Sequence, residues 1–113
     1  MKAVRLLLIT GFLLMAIHAR SQKVFSCQYD YQADVKVYVA ENDYEADLLV
    51  YKVGYDYQAE GNEGKWFFVK YDYQADKKIY FCEYKYQADL VICFVDYSYQ
   101  AKWRNREKIH LMF

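Results

Sequence analysis

Proline is absent from this 113-residue chain, glycine occurs four times, and cysteine and histidine number three and two. Each scarcity removes a class of explanation. Four glycines cannot supply the Gly-Gly-x-Gly-x-Asp repeats of calcium-binding nonapeptide arrays, nor a phosphate-cradling loop. No EF-hand loop offers the six to eight oxygens that calcium requires. There is no Cys-x-x-Cys pair, and beyond residue 21 only His110 could join a zinc site, so no metal centre is expected. Cys27, Cys82 and Cys93 form an odd set, compatible with one disulfide and a free thiol or with none. Stability must therefore come from packing, and buried, inert thiols are the expectation. Ser26 and Ser98 lack a Gly-x-Ser-x-Gly elbow, and Cys93 and His110 have no recognisable third partner. No catalytic residue, no cofactor and no enzymatic activity are expected.

Long hydrophobic runs are also scarce, and the one present is short. Lys2 and Arg5 precede the apolar stretch from Leu6 to Ile17, and small residues follow it. This is the three-part pattern of a secretory signal peptide, with cleavage expected after Ser21. Twelve apolar residues fall short of the ~20 that a spanning helix needs. The mature chain, residues 22–113, is expected to be exported to the periplasm or the extracellular space. Loss of Lys2, Arg5 and Arg20 leaves 12 basic residues against 15 acidic ones, a net charge near −3. Such a balance suits neither nucleic acid nor an anionic membrane surface. A monomer with no identified partner is expected.

What the chain has in abundance is repetition. Tyr29-Asp30-Tyr31-Gln32-Ala33-Asp34 returns, with small changes, around Ala46, Ala59, Ala75, Ala88 and Ala101. The alanines are spaced 13, 13, 16, 13 and 13 residues apart. A fixed period of this kind means stacked units, none of which can bury its own apolar side alone. Nine residues before each alanine stand Val24, Val37, Val50, Trp66, Ile79 and Ile92; eight before stand Phe25, Tyr38, Tyr51, Phe67, Tyr80 and Cys93. These β-branched and aromatic segments of four or five residues read as strands. Seven before come Ser26, Val39, Lys52, Phe68, Phe81 and Phe94, whose late phenylalanines suggest strands buried on both faces in the second half.

A polar turn follows each strand. Asp30, Asp43, Asp56, Asp72 and Ser98, three residues before the alanine, are placed to cap a single helical turn. Gly61-Asn62-Glu63-Gly64 adds three residues and divides the array into two halves of three. In the tail, residues 103–113, Ile109, Leu111 and Phe113 alternate like a closing strand, and His110 reads as a packed core histidine. The fold class is all-β: a compact array of six copies, each a strand plus a one-turn helical bend. Periodicity by itself is compatible with an open solenoid or a small closed array.

The repeated Tyr-x-Ala-Asp after a Val-Tyr-x-Val strand, the run Gly61-x-x-Gly64-Lys65-Trp66-Phe67-Phe68-Val69, and the tail Trp103-Arg104-Asn105…Lys108…His110-Leu111-Met112 resemble a domain-of-unknown-function family. It consists of short bacterial tandem-repeat proteins with a pseudosymmetric, deeply knotted fold, a torus knot of seven crossings. The resemblance covers residues 23–113. It implies a knotted path, against the usual rule of unthreaded connections, and it implies no activity, since none is assigned to the family.

Two functional classes then remain open. One is an exported, non-enzymatic structural or interaction domain that resists unfolding. The alternative is a glycan- or peptide-binding module built on the turn tyrosines Tyr29, Tyr55, Tyr71, Tyr84 and Tyr97, which requires their hydroxyls to cluster on one exposed face. Against the second stands the expectation that one tyrosine of each copy plugs the core. A small hydrolase or inhibitor would need a concave pocket of convergent polar groups, which a solid array does not leave.

Overall fold

The computed structural model describes residues 22–113; the expected signal peptide, residues 1–21, lies outside them. Six strands, β1 (Lys23–Ser26), β2 (Val35–Val39), β3 (Leu48–Lys52), β4 (Lys65–Phe68), β5 (Lys77–Phe81) and β6 (Leu90–Phe94), alternate with three-residue 3-10 turns. A two-residue strand, β7 (Lys102–Trp103), and a 3-10 segment, Arg106–Met112, complete the chain. The six long strands run parallel in the order β4-β1-β5-β2-β6-β3, and a β3–β4 pairing closes the ring. The array is therefore closed, not an open solenoid.

The order shows that the chain circles the ring twice. Strands β1, β2 and β3 make the first lap; β4, β5 and β6 make the second, and β5 and β6 enter the gaps left by the first. Register is the same at every junction. Val24 faces Phe68, Ile79 faces Ser26, Val37 faces Phe81, Ile92 faces Val39, Val50 faces Phe94, and Trp66 faces Lys52. In each pair the residue nine before one alanine meets the residue seven before another. The stagger is two residues at all six steps, which keeps side-chain parity and hence one face inward all the way round. Six equivalent units in a uniformly sheared ring give approximate sixfold symmetry, with the strands tilted to the barrel axis.

The inward face is the one the repeat marks. Val24, Val37, Val50, Trp66, Ile79 and Ile92 are all fully buried, with Val35, Leu48 and Leu90 in the layer beneath. The late phenylalanines are a correction to the sequence reading. Phe68, Phe81 and Phe94 share parity with the core positions, so they extend the inner face toward the strand C-terminal mouth instead of burying a second face. There the Lys52 ammonium lies 4.4 Å from the Phe94 ring centre and 5.4 Å from that of Phe68, a cation–π contact with both.

The opposite mouth is plugged by the tail. Met112 is buried in the core, and Gln22 Nε2 donates to its carbonyl at 3.0 Å. Asn62 Nδ2 donates to the Ile109 carbonyl at 3.1 Å, and Trp103 Nε1 donates to the Asn62 carbonyl at 2.7 Å. The alternation of Ile109, Leu111 and Phe113 does not make a strand, because no sheet edge remains for one. The outer flank of β3 is shared between β7, at Leu48 and Leu49, and β4, at Tyr51 and Lys52. The chain folds instead into a 3-10 segment, and His110 is exposed on it, not packed in the core.

The change of lap depends on Gly64. Its φ is +92°, a region costly for any side chain, and a Cβ there would sit 2.3 Å from the Leu49 carbonyl oxygen. Its own carbonyl accepts from Tyr51 N–H at 2.9 Å, part of the seam that closes the ring. Gly61, at φ +74°, has open space around it. Gly64→Ala is expected to destabilise the domain by about 3 kcal/mol, and Gly61→Ala by about 1 kcal/mol. Denaturant midpoints of the two variants measured side by side check the ranking.

Candidate functional site: a belt of turns carrying tyrosine pairs

Each connection between strands of one lap passes over a strand of the other. Cys27 N–H donates to the Ile79 carbonyl on one flank of β5, and Asp34 N–H donates to the Lys78 carbonyl on the other. The segment between, with its turn Asp30–Gln32, bridges the outside of β5. By the same pattern Asp43–Glu45 covers β6, Asp56–Gln58 covers β4, Asp72–Gln74 covers β1, Lys85–Gln87 covers β2, and Ser98–Gln100 covers β3. The six turns thus form one belt around the barrel.

Backbone and a few short side chains fix each turn. Tyr29, Asn42, Tyr55, Tyr71, Tyr84 and Tyr97 occupy the cap position, one residue before the turn. The expectation that Asp30, Asp43, Asp56, Asp72 or Ser98 caps is corrected accordingly: these are the first residues of their turns. Capping falls to glutamine. Gln32, Gln58, Gln74, Gln87 and Gln100 each accept through Oε1 from the cap residue's N–H, at 3.0 to 3.3 Å. This is half of a capping box, and its signal, a Gln or Glu three residues after the cap, was present in every copy.

The closing aspartates do more than end the turn. Asp34 N–H donates to the Lys78 carbonyl while its carboxylate accepts from Lys78 N–H, at 2.8 and 3.0 Å. Asp76 clamps Lys23, Asp89 clamps Lys36, and Asp47 clamps Val91 in the same two-bond way. Each clamp ties a turn of one lap to a strand of the other. Asp47 also holds the tail: its carboxylate meets Lys108 Nζ at 3.2 Å and Asn105 Nδ2 at 3.3 Å.

With the turn held this way, its two tyrosines are left over. Tyr29 and Tyr31 stack with ring centres 5.6 Å apart and planes 7° apart. Tyr55/Tyr57, Tyr71/Tyr73, Tyr84/Tyr86 and Tyr97/Tyr99 repeat the arrangement within 12°. The idea that one tyrosine of each copy plugs the core is overturned, since all ten are at least half exposed, from 50 % at Tyr29 to 82 % at Tyr86. Tyr29, Tyr55, Tyr71, Tyr84 and Tyr97 therefore lie at the surface, as a binding role requires. They stand around the belt, one pair per bridged strand, so the single exposed face expected of a binding module built on all five is not formed, and any recognition must be local to one or two turns. Only the second copy differs: Tyr44 has no partner ring, and Asn42 Nδ2 donates instead to Glu45 Oε1 at 2.9 Å.

Beneath the belt sit the thiols. Cys27, Cys82 and Cys93 are free and buried, and burial pushes each pKa above its ordinary value. A raised pKa keeps them protonated at neutral pH and poor as nucleophiles or ligands. Among the described residues no group of three His, Cys, Asp or Glu side chains converges as a metal site.

The model of the 7(1) septoil knot domain matches residues 21–104. The chain belongs to the septoil knot family. Two interleaved laps, each stepping over strands of the other, are the path that such a knot requires. No curated protein and no solved structure matches the chain. The family is named for its knotted path.

Within this septoil knot, exposed stacking and interlap clamping separate cleanly in energy. Tyr31→Ala and Tyr86→Ala are each expected to cost about 1 kcal/mol or less, the worth of an exposed aromatic pair. Asp47→Ala is expected to cost about 2 kcal/mol, because it leaves a backbone N–H and Lys108 without their charged acceptor. Equilibrium urea unfolding of the three variants, each incubated until its signal stops changing, tests the order.

Proposed function

We propose that this septoil knot is an exported, monomeric, non-enzymatic module whose asset is slow unfolding, and that it serves as a durable scaffold for its tyrosine-bearing turns. The observation that carries the reading is the reciprocal bridging of strands by turns. A strand cannot leave the ring until the connection lying over it has been withdrawn, so global unfolding must reverse a threading. Durability of that kind is kinetic, set by the barrier and not by the depth of the native well. Few glycines and no proline leave the array one insertion at which to open. The short basic and apolar N-terminal stretch supports export, to surroundings where proteases are met without chaperones.

A second reading is favoured by one specific feature, the exposure of both tyrosines of every pair. Rigid aromatic rings held at the surface at little entropic cost are suited to recognition. The two readings are compatible, since a recognition surface outside the cell gains from a frame that does not unfold.

The thiols provide the test of durability. A thiol-specific disulfide reagent should modify none of Cys27, Cys82 and Cys93 in the native protein over hours, and all three at once in concentrated guanidinium. The labelling rate in dilute denaturant then reports opening. Slow labelling together with resistance to a nonspecific protease is the expected outcome. Complete labelling or digestion within minutes would remove the proposal.

A further inference from the structure

Two grooves open between neighbouring turns of the belt, of about 500 and 550 Å³. The first is lined by Asp43, Val95, Tyr99, Gln100, Lys102 and Arg104 among others. The second is lined by Asp56, Val69, Tyr73, Gln74, Lys23 and Lys70 among others. Counted from the repeat alanines, four of these residues are equivalent: Asp43 with Asp56, Val95 with Val69, Tyr99 with Tyr73, and Gln100 with Gln74. The pseudosymmetry has therefore produced the same recess twice, between the turns over β6 and β3 and between those over β4 and β1.

Carboxylate, tyrosine and glutamine recur in both grooves, while the basic residues reach each from non-equivalent positions. One wall offers a carboxylate, Asp43 or Asp56, an acceptor for hydroxyl groups. The other offers a tyrosine ring, Tyr99 or Tyr73, about 80 % exposed, backed by its stacked neighbour. Gln74 and Gln100 spend Oε1 on the turn, which leaves the amide Nε2 donors facing outward from that bond. Each groove also carries two basic side chains: Lys23 and Lys70, or Lys102 and Arg104. Arg104 Nη1 donates to the Asp43 carbonyl, which holds the guanidinium across the groove. The lining of each groove thus holds two cations and one carboxylate, with the Asp76 carboxylate bonded to the Lys23 backbone beside the second.

We propose that the two grooves are equivalent subsites for a carboxylated saccharide, a hexuronic acid within an oligosaccharide. This rests on the recognition reading above and supplies its ligand. The sugar ring stacks on Tyr73 or Tyr99, its hydroxyls donate to Asp56 or Asp43, and its carboxylate pairs with the basic residues. An acidic peptide would satisfy the cations, but an Asp or Glu side chain has no ring face to lay on the tyrosine. The volumes suit one or two sugar rings, and two copies on one rigid frame make an extended polymer a better ligand than a monosaccharide.

The test is calorimetric titration of the mature protein with oligogalacturonate and with the uncharged galactose oligomer of equal length. Wild type is expected to bind the acid at least tenfold more tightly than the neutral sugar, and more weakly as salt rises. The double variant Tyr73→Ala, Tyr99→Ala should lose at least tenfold affinity. Lys70→Glu, Lys102→Glu should abolish the preference for the acid, and Tyr31→Ala, Tyr86→Ala, outside both grooves, should bind as wild type. Equal binding of both sugars, lost on removal of Tyr73 and Tyr99, would overturn the acidic ligand and keep the recognition surface. Binding of neither sugar, or binding indifferent to both groove variants, would overturn the proposal; thermal unfolding midpoints of the variants exclude misfolding as the cause of any loss.

Discussion

The two-residue stagger between neighbouring strands is the constraint on which the remaining architecture depends. A stagger of one would turn alternate strands inside out, because side-chain direction reverses at every residue. A stagger of two, repeated at six junctions, lets Val24, Val37, Val50, Trp66, Ile79 and Ile92 converge as one layer while the turns all arrive outside. It also sets the spacing at which a second lap can enter between strands of the first. The three residues added between Ala59 and Ala75 leave this register untouched. Their place is the one step at which successive strands, β3 and β4, are neighbours instead of being separated by a strand of the other lap.

Local and global order are linked through the aspartate clamps. In an ordinary parallel sheet the connection leaves the sheet and returns by a helix. Here eight residues, from Cys27 to Asp34 in the first copy, cross a single strand and are bonded to it on both flanks. Each such bridge is a long-range contact in sequence, 44 or 53 residues away at the clamps. Contacts of that separation make folding slow, since loop closure precedes any gain. The interleaving that lies across the path of assembly lies equally across the path of departure, and the slow unfolding proposed above rests on that symmetry.

Much of this was legible in the sequence, and the misreadings share a cause. The copies, their strands and the inward valines and isoleucines follow from period and residue type alone. Closure added information that no single copy contains. Ile109, Leu111 and Phe113 alternate correctly for a strand, yet the ring has no edge to receive one. Phe68, Phe81 and Phe94 looked like a second buried face until the shared stagger placed them at the barrel mouth. A cap at Asp30 and its equivalents falls one residue late, and the Gln or Glu three residues after Tyr29 and its equivalents marks the correct position. The tyrosines were drawn toward the core because aromatic residues at a repeat spacing usually pack; here the turn lies outside the sheet, with solvent beyond it.

The second copy shows what the tyrosine pairs are not needed for. Its turn, Asp43–Glu45, has the same backbone hydrogen bonds as the others, with Asn42 in place of the first tyrosine, an Asn42–Glu45 side-chain bond in place of the glutamine cap, and no stacked ring. The fold therefore accepts a turn without the pair, while Gln or Glu, Ala and the closing acid recur as structural parts. The five stacked pairs add little to stability, since all ten rings are at least half exposed. A feature that the frame does without at Asn42, yet carries in the other five turns, is the ground on which the recognition reading proposed above rests.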